Sequence, residues 1–186
     1  KTVVALLAMA RAAEAGGQSA LMAPTEILAR QHHATIAPLA AQAGLRTAVL
    51  TGREKGKERA KILADLASGD IHIVLGTHAL FQEGVEYHDL VLAIVDEQHR
   101  FGVHQRLAMT AKGVAPDMLV MTATPIPRTL VLTAFGDMDV SRLMEKPAGR
   151  QPIQTVTLPL ERLSSLVERM RHAVSQGQKV YWICPL

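Results

Sequence analysis

Two adjacent acids, Asp96 and Glu97, stand where a long apolar run ends. The run is Val91-Leu-Ala-Ile-Val95, and Gln98 and His99 follow the acids. Such a run fits a strand buried on both faces of a parallel sheet, and the carboxyl edge of that sheet is where open α/β folds bind ligands. Two carboxylates there can hold a hydrated Mg²⁺ and orient an attacking water. An acidic turn without a ligand explains the acids alone equally well, but the added Gln98 and His99 favour the functional interpretation.

The chain opens with Lys1-Thr2, immediately before a helical pattern. A phosphate-binding loop has the form Gly-x-x-x-x-Gly-Lys-Thr ahead of a helix, and only its last two residues are matched here. Such pairs are common on surfaces, so the match gains weight only from the acidic strand end downstream. In this interpretation Lys1 meets the β/γ-phosphates of a nucleotide, and Thr2 and Asp96 bind Mg²⁺, Asp96 through water. Glu97 orients or deprotonates the attacking water.

The composition limits the class of protein. The 186 residues are 48% hydrophobic, with a mean hydropathy of +0.14 and no run of bilayer-spanning length, so we expect a soluble protein without a membrane partner. The lone Cys184 cannot form an internal disulfide and suits a reducing cytoplasm. A net charge of +3 permits nucleic-acid binding. An aromatic content of 3% leaves few stacking platforms, so such contacts would be mainly to phosphates.

Strand and helix patterns alternate through most of the chain. The sequence predicts strands at 19–22, 46–50, 71–75, 90–95 and 118–121. It predicts helices at 2–15, 57–67, 103–112 and 127–135, and one more that begins after Thr25 as its N-cap. Pro38 is expected to kink or split that helix. Repeated units of this kind predict a parallel sheet with right-handed crossovers.

The pattern changes near residue 145. Residues 145–152 are charged and contain two prolines and a glycine, which is typical of a linker. Beyond them we expect a strand at 153–158, an amphipathic helix and a strand at 180–183. The sequence therefore predicts a first domain over 1–144 and the beginning of a second, incomplete domain over 153–186.

Four short strings resemble the motifs of superfamily 2 helicases in order and spacing. The resemblance lies in Pro24-Thr25-Glu26 (motif Ia), Gly76-Thr77-His78 (motif Ib region), Asp96-Glu97-Gln98-His99 (the DExH box) and Thr122-Ala123-Thr124 (motif III). It implies a RecA-like P-loop NTPase domain of the α/β class, with a mainly parallel sheet flanked by helices. It also implies ATP and Mg²⁺ as cofactors, with Asp96, Glu97 and His99 as catalytic residues.

Longer strings narrow the resemblance. Residues 23–29, 96–103 and 122–130 are similar to the RecG family of bacterial fork-remodelling DNA helicases. The third string is shared with the Mfd family of transcription-repair coupling translocases, which usually have a second Glu where Gln98 stands. The RecG resemblance implies an ATP-dependent helicase that remodels stalled forks and branch-migrates Holliday junctions. Its partners would be branched and duplex DNA, with no structural metal.

The resemblance also implies DNA contacts and a coupling segment. The residues that would hold the sugar-phosphate backbone are Pro24, Thr25, Glu26, Gly76, Thr77 and His78, with Thr51 and Gly52 as weaker candidates. Thr122, Ala123 and Thr124 would link the nucleotide state to DNA contact. Structural alternatives stay open, because these threonines can satisfy a turn before Pro125 and His78 can cap a loop. We expect His32 and His33 to be solvated helix residues.

Three other functions are alternatives to a RecG-type helicase. An Mfd-like translocase would need a polymerase-binding module, which nothing here resembles. A DNA-binding scaffold without catalysis would gain little from paired carboxylates, and a nucleotide switch would hydrolyse ATP without unwinding DNA. The phosphate-loop glycines and the later helicase motifs with their arginine finger are not among these 186 residues. We therefore expect the full-length protein to hydrolyse ATP on DNA and this segment alone to be inactive.

Overall fold

The computed structural model describes residues 1–96, 116–123, 139–145, 149 and 152–184. The predicted helices at 103–112 and 127–135 lie outside these residues, as do Glu97, Gln98, His99 and Thr124. The chain divides into two compact units, residues 1–136 and 137–186. The predicted end of the first domain at 144 stays a prediction.

Five parallel strands form the sheet of the first unit. They are β1 (Gln18–Met22), β2 (Thr47–Leu50), β3 (Ile73–Gly76), β4 (Leu90–Asp96) and β5 (Asp117–Met121). Their order in the sheet is β2-β3-β1-β4-β5, and each neighbouring pair is parallel. The predicted parallel sheet is therefore confirmed, and every strand delivers its carboxyl end to the same edge.

One helix precedes β1, and two more connect β1 to β2 and β2 to β3. They are α1 (Thr2–Glu14), α2 (Glu26–Gln42) and α3 (Gly56–Ala67), and a short 3-10 helix follows β3 at His78–Phe81. The predicted stop after α1 is confirmed by Gly16, whose φ of 89° suits glycine better than other residues. Within the described ranges, no helix combines the length and the apolar character needed to cross a bilayer.

Pro38 lies inside α2 without splitting it, and the alternative expectation, a kink, stays a prediction. The helix runs continuously from Glu26 to Gln42. Proline has no N–H to donate to the carbonyl of Ala34, four residues earlier. Both Pro38 and Ala34 are exposed, so water can satisfy that carbonyl, while Ile36 and Ala40 hold the helix on the sheet.

Strand side chains alternate between two faces of the sheet, and helices cover both. On one face, the strand side chains pack against Leu66 of α3. These strand residues are Ala20, Met22, Val74, Ala93 and Val95. On the other face they pack with α1 and α2, and that cluster contains Ala5, Met9, Leu21, Ile36, Ala40, Ile73, Leu75 and Ile94. Burial on both faces explains why the strands read as apolar runs. The alternation places Asp96, two residues after Ile94, on the side of α1 and α2.

The second unit contains a helix but not the predicted strands. The helix is α4 (Leu163–Ser175), preceded by one 3-10 turn, and it confirms the helical prediction. Residues 153–158 and 180–183 are exposed and form no strand among the residues that the structure describes. A strand needs a hydrogen-bonded neighbour, and the described part of this unit supplies no sheet. No residue of α4 is fully buried, and Leu163 and Val174 on its apolar side are exposed.

Candidate functional site

The segments with predicted function meet at the carboxyl edge of the sheet. The register pairs Met22 with Gly76, Leu50 with Gly76, and Asp96 with Met121. The residues that follow these strand ends are 23–26, 51–52, 77–78 and 122–123. The structure thus brings together, on one edge, the described residues that the sequence assigns to nucleotide, DNA and coupling roles.

Asp96 is linked to the beginning of α1 through His32. Nε2 of His32 lies 2.8 Å from Oδ2 of Asp96, and Nδ1 of the same ring lies 3.5 Å from Oγ1 of Thr2. The side chains of His32 and Asp96 are only 12% and 10% exposed. The two residues predicted to bind Mg²⁺ therefore stand on either side of one imidazole ring.

The prediction that His32 and His33 are solvated is wrong. His32 falls on the stripe by which α2 faces the sheet, three residues after Ala29 and four before Ile36, both of which are buried. His33 is half-buried, and its Nε2 lies 3.1 Å from Oγ1 of Thr47. Burial lowers the pKa of His33. The helical spacing of the apolar residues was the signal that could have placed both rings inward.

The groups beside His32 suit a magnesium-bound phosphate. A threonine hydroxyl and an aspartate carboxylate are oxygen ligands of the kind that Mg²⁺ accepts. Lys1 is the N-cap residue of α1, so it stands at a helix N-terminus, where the helix dipole favours phosphate. Glu97 and His99, the other predicted catalytic residues, lie outside the described residues.

Thr25 caps the helix that follows β1, as predicted. Its backbone is extended, and its Oγ1 accepts a hydrogen bond from the backbone N–H of Leu28 at 3.3 Å. A threonine hydroxyl that accepts one bond still has a proton to donate. Because Thr25 is exposed at a helix N-terminus, the position is suited to a phosphate oxygen.

Glu54 ties α2 to the loop after β2. Its Oε1 accepts from Arg30 at 2.5 Å, and its Oε2 accepts from the backbone N–H and the hydroxyl of Thr51 at 2.6 and 2.7 Å. Arg30 also donates to Glu26 at 2.9 Å. Burial alone would raise the pKa of Glu54, but the hydrogen bonds from Thr51 and Arg30 outweigh it and lower the pKa to about 2. The carboxylate therefore stays ionised and holds α2 to the loop after β2.

Glu54 was not among the predicted site residues, although the sequence carries a local signal for its contacts. Thr51-Gly-Arg-Glu54 has the Thr-x-x-Glu spacing of a capping box, in which the acid accepts from the backbone N–H three residues earlier. Thr51 is consequently buried, with its hydroxyl engaged inside the protein, whereas the adjacent Gly52 is exposed.

The end of β3 is joined to the motif Ia segment. The carbonyl oxygen of Gly76 accepts from the backbone N–H of Ala23 at 2.8 Å. Thr77 is buried, and its carbonyl accepts from Leu80 within the short 3-10 helix. His78 is exposed at the beginning of that helix. Of the predicted DNA contacts after β3, His78 is thus the accessible one.

Thr122 and Ala123 follow β5 beside the acidic strand end. Asp96 pairs in register with Met121, so Thr122 stands one residue beyond it at the same edge. Thr122 is half-buried and Ala123 is exposed. The described residues of the predicted coupling segment thus lie next to the acidic strand end, and Thr124 lies outside the described residues.

Comparisons with known proteins identify several relatives. The proteins named ATP-dependent DNA helicase RecG from Escherichia coli O127:H6 and Streptococcus pneumoniae serotype 4 are 49% and 52% identical over all of this chain. The chain spans only 28% and 27% of their lengths. A solved structure, described as RecG bound to a three-way DNA junction, superposes with a TM-score of 0.79 at 42% identity. That match covers 94% of this chain and 23% of the solved chain, and it confirms the predicted RecA-like architecture.

A family comparison gives the broader class. The DEAD/DEAH box helicase family matches residues 1–132, which contain the whole described sheet. The match includes both ends of the Thr2–His32–Asp96 contact and all of the motif Ia and Ib segments. Because it extends over more than half of the sequence, the chain belongs to the DEAD/DEAH box helicase family.

Proposed function

We propose that this chain is the first motor domain of an ATP-dependent DNA helicase of RecG type, which remodels stalled replication forks and branch-migrates Holliday junctions. One observation carries the proposal: Thr2 and Asp96 stand on either side of His32, at the sheet edge that also holds the motif Ia and Ib segments. The names of the relatives and the junction-bound structure support branched DNA as the substrate.

The nucleotide site would be formed by the ends of α1 and β4. Thr2 and Asp96 would hold Mg²⁺, Asp96 through water, and Lys1 would meet the β/γ-phosphates of ATP. The cation, when bound, neutralises charge on the phosphates. Glu97 follows the metal-binding acid directly and would orient or deprotonate the attacking water, with His99 two residues further on.

DNA would lie along the same edge and be held by its sugar-phosphate backbone. Thr25 offers a hydroxyl proton at a helix N-terminus, and Gly52 and His78 are exposed on the same edge of the sheet. The remaining motif residues, Pro24, Glu26, Thr51, Gly76 and Thr77, would shape these segments. The low aromatic content agrees with binding that does not depend on base stacking.

Coupling between the two sites would involve the segment after β5. Thr122, Ala123 and Thr124 begin beside the register partner of Asp96, so a change at the phosphates has a short path to them. Such a switch requires two arrangements whose populations ATP shifts. The named relatives favour RecG-type remodelling over an Mfd-like translocase.

The test uses a full-length chain that carries these residues. The wild-type protein should hydrolyse ATP in the presence of forked DNA and unwind it. Glu97→Gln should reduce the rate of hydrolysis about 100-fold or more while binding of a fluorescent ATP analogue is retained. Unchanged hydrolysis in Glu97→Gln would indicate a scaffold, and hydrolysis without unwinding in the wild type would indicate a nucleotide switch.

A further inference from the structure

We propose that His32 is a positioning residue that holds Thr2 and Asp96 in the arrangement that receives the magnesium ion. The inference rests on the proposed function, because it takes Thr2 and Asp96 as the metal-binding pair. His32 belongs to none of the motif strings, and it reaches the site from the second turn of α2 rather than from a strand end.

Each ring nitrogen of His32 faces one of the two side chains that would bind the metal. Oδ2 of Asp96 is an acceptor, so Nε2, at 2.8 Å, carries the ring proton and donates it. Nδ1 faces Oγ1 of Thr2 at 3.5 Å, so the ring lies between the hydroxyl and the carboxylate. A ring in this position sets the separation of the two side chains that would bind the metal.

The ring itself is held in place by the fold. The His32 side chain is 12% exposed. Ala29 and Ile36, which precede and follow His32 in α2, are buried and fix the helix to the sheet. Long-range packing therefore sets where Nε2 and Nδ1 lie. A partner held this rigidly limits the rotation of the Asp96 carboxylate, which is how groups outside the ligand set tune a metal site.

The neighbouring His33 supplies a matched comparison. It lies on the same helix turn and is also part-buried, but its Nε2 meets Oγ1 of Thr47 at 3.1 Å. Thr47 begins β2, whereas Asp96 ends β4. Loss of the His33 ring should thus affect packing of α2 without touching the pair that binds the metal.

The experiment measures magnesium dependence rather than activity alone. Full-length wild type, His32→Ala, His32→Gln, His32→Asn and His33→Ala are titrated with a fluorescent ADP analogue, in EDTA and at increasing Mg²⁺. We expect His32→Ala to raise the Mg²⁺ concentration for half-maximal binding about 10-fold, with affinity in EDTA unchanged. His32→Gln, whose amide nitrogen can take the place of Nε2, should restore most of that loss. His33→Ala should match the wild type.

The two amide variants keep the test decisive if His32→Ala fails to fold. Asparagine places its amide near the position of Nδ1 and cannot reach Asp96, so His32→Gln must bind Mg²⁺-nucleotide more tightly than His32→Asn. Equal Mg²⁺ requirements in these two variants, or equal losses in His32→Ala and His33→Ala, would overturn the proposal. A wild type that neither binds nor hydrolyses nucleotide would instead overturn the proposed function.

Discussion

The backbone carbonyl oxygen of Leu50 occupies the space that a side chain at Gly76 would need. A Cβ on Gly76 would lie 1.9 Å from that oxygen, and the two residues are register partners at the ends of β2 and β3. The close approach brings the loop that begins at Thr51 beside the segment that begins at Thr77. Glycine at this position is therefore a packing requirement of the sheet edge.

Replacement of Gly76 by alanine should destabilise the fold. The obstructing atom belongs to the backbone of the adjacent strand and cannot rotate away, so we expect the free energy of unfolding to fall by more than about 2 kcal/mol. Gly52→Ala is the matched control, because the structure describes no atom within 4 Å of a Cβ there. Urea denaturation of both variants measures the difference, and similar values would contradict the steric explanation.

Glu54 should make stability depend on pH in the acid range. Its pKa of about 2 lies below the value of about 4.3 for an unfolded chain. The stabilisation is thus fully present above about pH 5 and is lost as the pH falls toward the folded-state pKa. Thermal melts from pH 7 to 2.5 should show that Glu54→Gln is less stable than the wild type by up to about 3 kcal/mol at pH 7. Its free energy of unfolding should also fall less steeply as the pH is lowered.

The exposed acid Glu14 provides the control for that measurement. It pairs with Arg11 on the surface of α1, where both side chains are more than half exposed, and such pairs contribute little. In Glu14→Gln the free energy of unfolding should fall with decreasing pH as steeply as it does in the wild type. If Glu54→Gln also shows the same pH dependence of stability as the wild type, the contacts of Glu54 with Thr51 and Arg30 do not stabilise the fold.

The strands of the first unit were predictable because their signal is local. Four of the five, β2 to β5, are short, mainly apolar runs that end at or just before a threonine, a glycine or an acid, and β1 is followed by Ala23 and Pro24. Burial on both faces by helices produces such runs. The same reasoning failed at 153–158 and 180–183, because a strand also requires a neighbour that the pattern of one segment cannot supply. Pairing is a property of the whole fold.

The candidate site was predictable at its strand ends but not at its helix. Asp96 follows from the end of an apolar run, and Thr25 from the composition of helix caps. The contact between His32 and Asp96 joins residues 64 positions apart and depends on how α2 packs on the sheet. Apolar spacing could show that a histidine faces inward, but only the packed structure shows which acid it meets.

Pro38, in the interior of α2, should destabilise the fold. In the interior of α2 it leaves the carbonyl of Ala34 without its helical partner, and Pro38→Ala would restore that hydrogen bond. Alanine also makes the unfolded chain more flexible, which offsets part of the gain. We expect a net stabilisation of about 1–2 kcal/mol by urea denaturation. Gln31→Ala, an exposed change in the same helix, should alter stability by less than about 0.5 kcal/mol.

Thr25 should contribute both to α2 and to DNA binding. Thr25→Ala removes the cap on Leu28 and should lower the free energy of unfolding by about 1 kcal/mol. In the full-length protein it should weaken binding to forked DNA about 2- to 10-fold, the loss of one hydroxyl–phosphate hydrogen bond. Fluorescence anisotropy measures the affinity, and Thr25→Ser should retain both properties.

Thr35 separates a specific DNA contact from a general effect of a lost hydroxyl. It lies on the same helix, and its hydroxyl donates to the carbonyl of Gln31 at 3.0 Å, away from the sheet edge. Thr35→Ala should therefore bind forked DNA as the wild type does. If Thr25→Ala and Thr35→Ala weaken binding equally, the motif Ia segment does not touch the phosphate backbone at Thr25.

The 186 residues on their own should not turn over ATP, even with forked DNA present. Phosphate-loop glycines, which would supply backbone N–H groups to the phosphates, are not in this segment, and neither is the arginine finger of the later motifs. Loss of such an arginine alone slows phosphoryl transfer by about 10³ or more. A coupled ATPase assay should give a rate for the segment no higher than that of full-length Glu97→Gln. DNA-stimulated turnover within tenfold of the full-length wild type would mean that Lys1, Thr2 and Asp96 suffice without a second domain.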